Sequence, residues 1–322
     1  MDTATAPGKI ILFGEHAVVH ARPAVAVPVA QARAEVTIEA RNDARVVVDA
    51  TDLARQFDLR DAPADDPIAT IIRLTCARLN VAPSSFSLSI HSTIPMASGL
   101  GSGAAVSVAS ARALAKFFNR TLSAGEVSAL AYEVEKLHHG TPSGIDNTVI
   151  AFEQPVYFVK GQPIQALRVV RPFTIAIADT GIAAPTKIAV GDVRRAWEAE
   201  RARYETLFDQ IGAVAREARG AIEGGQADAL GTLMNTNQSL LREIGVSSLE
   251  IETLVSAALR AGARGAKLSG AGRGGNVIAL VDEVTQDRVE RALLDAGARR
   301  VMMTGVASTD GQRINESRRR AE

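Results

Sequence analysis

The stretch Pro95-Met96-Ala97-Ser98-Gly99-Leu100-Gly101-Ser102-Gly103-Ala104-Ala105 decides how this chain is read. An alternating segment, Phe86 to His91, runs into it with Phe86, Leu88 and Ile90 on one face, the pattern of a half-buried strand. An alanine-rich segment from Ala104 to Phe118 leaves it as an expected helix. Gly99, Gly101 and Gly103 permit left-handed backbone and close approach, so successive N–H groups can converge on one spot. The helix beyond adds unpaired N–H groups and the positive end of its dipole. Strand, glycine loop and helix start together suit an anion, most often a phosphate. Taken alone, the loop also fits a structural turn. It is not a Walker A, because no Gly-Lys-Ser/Thr closes it.

The chain has 322 residues, 47% apolar and 22% charged, which suits a globular protein of one large or two ordinary domains. Lys+Arg and Asp+Glu balance at 36 each, so no net charge recruits nucleic acid or an anionic membrane. No apolar run reaches about 18 residues and the start lacks a basic-then-apolar pattern, so the expected location is the cytoplasm, with no membrane partner. The single cysteine, Cys76, excludes a disulfide framework. It lies among Ile71, Ile72, Leu74 and Leu79 in a helical pattern, as a buried inert thiol would.

Ala4 to Leu12 reads as a short strand broken by Pro7-Gly8, and Ala24–Ala30 and Ala32–Ala40 as two strands. Pro67 opens a helix to about Leu79, and Ser123-Ala124-Gly125-Glu126 is a capping box for another. That helix runs into a turn-rich stretch, Gly140–Asn147. Further on, Thr186 to about Glu223 reads as one long amphipathic segment, and Ser247–Glu250 as a second capping box. Strands are expected at Phe173–Asp179, Asn276–Val281 and Arg299–Ala307. Strands and helices alternate without a strict βαβ repeat, which favours an α+β fold of two domains, 1–180 and 181–322, the last residues packing back on the first.

Gly270, Gly272 and Gly275 match G-x-G-x-x-G, but the β-branched run Asn276–Val281 follows where a dinucleotide site needs a helix. A tight turn between strands, close to a ligand, fits better. Glu135 and Asp146 stand eleven residues apart around the turn-rich stretch. One carboxylate could hold the metal of a magnesium nucleotide and the other face an acceptor hydroxyl, although an Asp in such a turn is also an ordinary cap. Lys9 and Lys267 are candidate charges for a transferring phosphoryl group.

Three separated stretches now agree. Pro7-Gly8-Lys9-Ile10-Ile11-Leu12-Phe13-Gly14-Glu15-His16-Ala17-Val18-Val19-His20, the loop Pro95–Ala105, and Lys267-Leu268-Ser269-Gly270-Ala271-Gly272-Arg273-Gly274-Gly275 resemble the three signature motifs of the GHMP kinases. Members of that family phosphorylate galactose, homoserine, mevalonate and phosphomevalonate. The continuation Gly14–His20, the turn His139–Asn147 and the segment Leu233–Gln238 are similar to its mevalonate-phosphorylating branch.

The resemblance implies a ribosomal-protein-like N-terminal domain, a ferredoxin-like C-terminal domain, an active site in the cleft between them, and a homodimer. It implies transfer of the ATP γ-phosphoryl group to the C5 hydroxyl of mevalonate, with ATP and Mg²⁺ required. The loop Pro95 to Ala105 would wrap the phosphates; Glu135 and a loop hydroxyl, Ser102, would hold Mg²⁺. Asp146 would face the C5 hydroxyl as base or orienter, and Lys9 would pair with it. Glu15, His16 and Ser143 would line the substrate pocket, supported by His139 and Asn147. Gly270, Ala271 and Gly272 would close over the phosphates or shape the pocket floor. The chain departs from the family at Gly103, where a second Ser is usual, and at Arg273, where Gly is common.

Overall fold

A computed structural model describes residues 1–50, 52, 55–95, 98–139 and 142–308; the side chains of His138 and His139 also lie outside the description. Met96 and Ala97, assigned above to the phosphate loop, fall outside it, as does the charged tail at 318–322. The chain packs as two compact units. One comprises Met1–Lys9, Val29–Met96 and Gly101–Glu153; the other comprises Ile10–Pro28, Ala97–Leu100 and Gln154–Glu322. Among the described residues, no helix is long and apolar enough to cross a membrane.

The chain enters through β1 (Asp2–Phe13), which continues through Pro7-Gly8 without the expected break. The strand pairs with β2 (Ala24–Ala40), and a strand with a free side tolerates a proline that cannot donate. The two strands read at 24–30 and 32–40 are likewise one, β2. In the first unit, β3 (Val46–Ala50), β4 (Arg55–Asp58) and β5 (Phe86–Ser92) extend the sheet. The order is β4-β3-β5-β2, with β5 antiparallel to β2 and parallel to β3.

The helices of this unit are α1 (Pro67–Leu79), α2 (Ser102–Phe117), α3 (Ala124–His139) and α4 (Ile145–Phe152). Helix α2 touches the other three as well as β5. Its surface is small residues, with Ala104 through Ala111 buried, so neighbours approach from several sides, as an all-round apolar helix allows. Helix α3 starts on the expected box: Glu126 accepts from the Ser123 amide at 2.8 Å, and Ser123 accepts from the Glu126 amide at 3.3 Å.

In the second unit, β6 (Val156–Phe158) pairs with Ala24–Ala26 of β2 and with β7 (Gln165–Ala166). A four-stranded antiparallel sheet follows, ordered β11-β8-β10-β9, from β8 (Phe173–Asp179), β9 (Gly265–Ser269), β10 (Asn276–Val281) and β11 (Arg300–Val306). Strand β8 is flanked on both sides by strands from the C-terminal half, and it falls in the unit that holds Gln154–Glu322. The helices are α5 (Thr186–Ala199), α6 (Arg201–Glu223), α7 (Ala227–Ile244), α8 (Leu249–Arg260) and α9 (Gln286–Asp295). The long segment read from Thr186 is therefore two helices, interrupted at Glu200, where neither Gly nor Pro marks the break. Helix α8 is capped one residue later than read: Ser248 accepts from the Ile251 amide, and Ser247 donates instead to Glu252.

Candidate active site

In the first unit, the site grows from the start of α4. Gly144 caps this helix in left-handed backbone, which places Asp146 in the first turn, where the dipole favours a carboxylate. The stretch read as irregular thus becomes helical at Ile145. Lys9 reaches across from β1, its Nζ 3.0 Å from Asp146 Oδ2, with side-chain exposures of 4% and 27%. Lysine is desolvated while the carboxylate keeps an open side. Gly101, the N-cap of α2 at φ 76°, lies over the lysine stem. A Cβ there would stand 2.9 Å from Ile150 Cδ1 and 3.1 Å from Lys9 Cγ, so only glycine lets the loop end, Lys9 and α4 share this spot.

The opening turn of α2 has no side-chain cap, which leaves N–H groups at its start for an anion. Ala105 is not among the donors, because its amide closes the first helical turn on Gly101. Leu100, Ala104 and Ala105 bury their side chains and contribute backbone shape only. Ser102 stands half-buried at the first position of α2. Gly103 is exposed, and a Cβ there would meet nothing within 4 Å, so the fold does not require glycine at this departure from the family.

Glu135, on α3, completes the cluster. Burial pushes its carboxyl up to about 8, the charge of Asp146 pushes the same way, and Lys9 opposes both. Two carboxylates thus share a neighbourhood with one ammonium. A divalent cation relieves that crowding, and Mg²⁺ is commonly held by one or two carboxylates with substrate phosphates and waters supplying the rest. Among the described residues no three His, Cys, Asp or Glu side chains cluster as an all-protein metal cage would need. Millimolar Mg²⁺ is expected to raise the wild-type melting temperature by a few degrees. It should leave Glu135→Gln nearly unmoved, while that variant without metal melts no lower than wild type. Equal shifts in both proteins would remove Glu135 from the metal site.

In the second unit, the turn after β1 carries Glu15 and His16. Glu15 receives Lys267 Nζ on Oε1 and the Asn237 amide, at 3.2 Å, on Oε2. Both members of the ion pair are fully buried. Burial raises the Glu15 carboxyl and lowers the Lys267 ammonium, and their mutual attraction opposes each shift. Lys267 is therefore spent inside the fold, and the expectation that its charge serves a phosphoryl group is overturned. Asn237 lies in the segment Leu233–Gln238 that carried the resemblance, but the sequence reading gave it no role of its own. Its signal was a polar residue on the apolar face of α7 set by Leu230, Met234 and Leu241.

His16 adopts φ 60°, uncommon for a residue with a side chain, and its ring is buried. Burial lowers its pKa to about 4, so the ring is neutral near pH 7. Nε2–H donates to the Ala271 carbonyl at 3.0 Å, which leaves Nδ1 as an acceptor. The turn Gly270–Gly275 presses on the chain after α7: a Cβ at Gly272 would stand 2.2 Å from the Val246 carbonyl. Gly272 and Ala271 therefore shape this turn and anchor His16, and Gly270 lies beside Gly99. Arg273 is exposed and pairs with Asp192.

Two further residues named from the sequence make contacts within the fold. The Asn147 amide donates to the carbonyl and hydroxyl of Ser128, at 3.0 and 2.8 Å, tying α4 to α3. Ser143 accepts from the Ile145 amide at 3.3 Å and helps start α4, its side chain half-buried. The side chain of His139 lies outside the described residues.

Residues 67–154 match the family described as GHMP kinases N terminal domain, and residues 218–299 match GHMP kinases C terminal. The mevalonate kinase of Aeropyrum pernix is 34% identical over 323 residues, covering 97% of this chain and 98% of that protein. The mevalonate kinase of Thermococcus sibiricus is 35% identical over 333 residues, with the same coverage. Among solved structures, L. major mevalonate kinase in complex with R-mevalonate superposes with a TM-score of 0.82 at 28% identity, covering 96% of this chain and 97% of that one.

Proposed function

The chain belongs to the GHMP kinases, in their mevalonate kinase branch, and from that membership we propose that it transfers the ATP γ-phosphoryl group to the C5 hydroxyl of (R)-mevalonate. The observation that supports this reading most is the Lys9–Asp146 pair beside the open start of α2. Asp146 accepts a hydrogen bond from the acceptor hydroxyl and aims its oxygen in line with the phosphoryl group. Phosphoryl transfer passes through a loose transition state, so the hydroxyl proton leaves late and orientation matters more than basicity. The ammonium of Lys9 balances charge building on the transferring group. Ser102 and Glu135 would hold Mg²⁺, which supplies charge neutralisation on the phosphates. The backbone of Ser98–Ala104 would cradle those phosphates, and His16 and Ser143 belong to the substrate side. A cytoplasmic homodimer completes the proposal.

The test is ADP release with mevalonate, phosphomevalonate, homoserine and galactose in parallel, the phosphorylated position read by phosphorus NMR. Mevalonate should give the highest kcat/KM and a phosphomonoester at C5. Turnover of mevalonate no better than of the others would sink the reading.

A further inference from the structure

Asn276 opens β10 as a polar residue ahead of an unbroken apolar strand, and only 1% of its surface is exposed. Strand β10 is paired on both sides, with Asn276 opposite Asp179 of β8 and Ser269 of β9, so its backbone is rigidly held. From there its Nδ2 donates to the Ser98 carbonyl at 2.5 Å. Neighbouring glycines make room for this approach: a Cβ at Gly275 would stand 3.2 Å from the same carbonyl, and one at Gly99 would stand 3.7 Å from the Ser269 carbonyl.

The arrangement carries a cost. Asn276 Oδ1 is buried without a hydrogen-bond partner among the described residues. An orphaned buried acceptor is unfavourable, and a Val at the same place would leave none. Retaining an amide there makes sense if the N–H it aims at Ser98 has a task. Ser98 immediately precedes the glycines whose N–H groups face the phosphates in the proposed function, and rotation about its peptide would redirect them.

We infer that Asn276 is a positioning residue of the phosphate loop, its amide fixing the Ser98 carbonyl and so the direction of the N–H groups that follow. This rests on the reading of residues 98–104 as the nucleotide-phosphate cradle. Two variants separate positioning from packing. Asn276→Ala deletes the donor. Asn276→Asp keeps the shape but sets a carboxylate oxygen against the carbonyl.

If the amide positions the loop, Asn276→Ala raises KM for Mg·ATP by roughly 10-fold, the scale of one lost positioning hydrogen bond, with KM for mevalonate within about twofold of wild type. Asn276→Asp is worse than Asn276→Ala at about pH 8 and recovers relative to it towards about pH 5, where a protonated carboxyl can donate to Ser98. If the residue only fills space, the isosteric Asp is the milder change and both KM values move together; that order overturns the inference. Binding of a fluorescent ATP analogue, measured without acceptor, gives the same ranking independently of the substrate. Failure of wild type to phosphorylate mevalonate would thus be told apart from failure of Asn276 to position the loop.

Discussion

Replacing Asp146 by alanine is expected to lower kcat at least about 10²-fold, the scale of a lost transition-state contact, and to lower the melting temperature because the buried Lys9 ammonium loses its partner. The carboxylate sits in the first turn of α4 with an open side, so truncation leaves no buried cavity. What would be lost, under the proposed function, is the group that aims the acceptor oxygen and receives its proton. Lys9→Met should lower turnover comparably, by removing the ammonium that is paired with Asp146. The double variant should be little worse than either single one, because the residues act as a unit. Asp146→Asn separates the two tasks of the carboxylate: it retains an acceptor but takes up no proton, and falls between wild type and Asp146→Ala if orientation dominates. Turnover of purified Asp146→Ala near that of wild type would overturn the assignment.

The largest effect on stability is expected at Lys267. Lys267→Met leaves the Glu15 carboxylate in a dry interior with neutral partners, the Asn237 amide and its own backbone N–H, but without its cation. Breaking a buried pair on one side costs about 3–5 kcal/mol, a large part of the 5–15 kcal/mol that holds a typical domain. Adding Glu15→Gln removes the uncompensated charge, and the double variant should regain most of the lost stability, because well-packed neutral groups replace buried pairs at little cost. Urea midpoints for the two single variants and the double variant make the comparison. A Lys267→Met midpoint near wild type would show that the pair carries no such weight.

Much of this molecule is legible along the chain. Pro67 at the start of α1, the reciprocal bonds of Ser123 and Glu126, and the alternation of Phe86, Leu88 and Ile90 are local signals that the fold honours. The motifs around Lys9, Gly101 and Asp146 marked the residues that the structure brings together in the first unit. The break at Glu200 was not legible, because the apolar period runs on through it. The continuity of β1 through Pro7 was missed for a different reason: it depends on whether a neighbouring strand needs that amide.

The amino-acid order by itself determined the class of fold and the family, because periodicity, caps and motifs are each written within a few neighbouring residues. The tertiary structure alone decided which charges remain available. Lys267 is neutralised by Glu15, 252 positions away; Asn147 is turned to Ser128; and Asn276 reaches Ser98 across 178 positions. Burial and pairing set the energy of a charge or an amide, and both depend on neighbours in space.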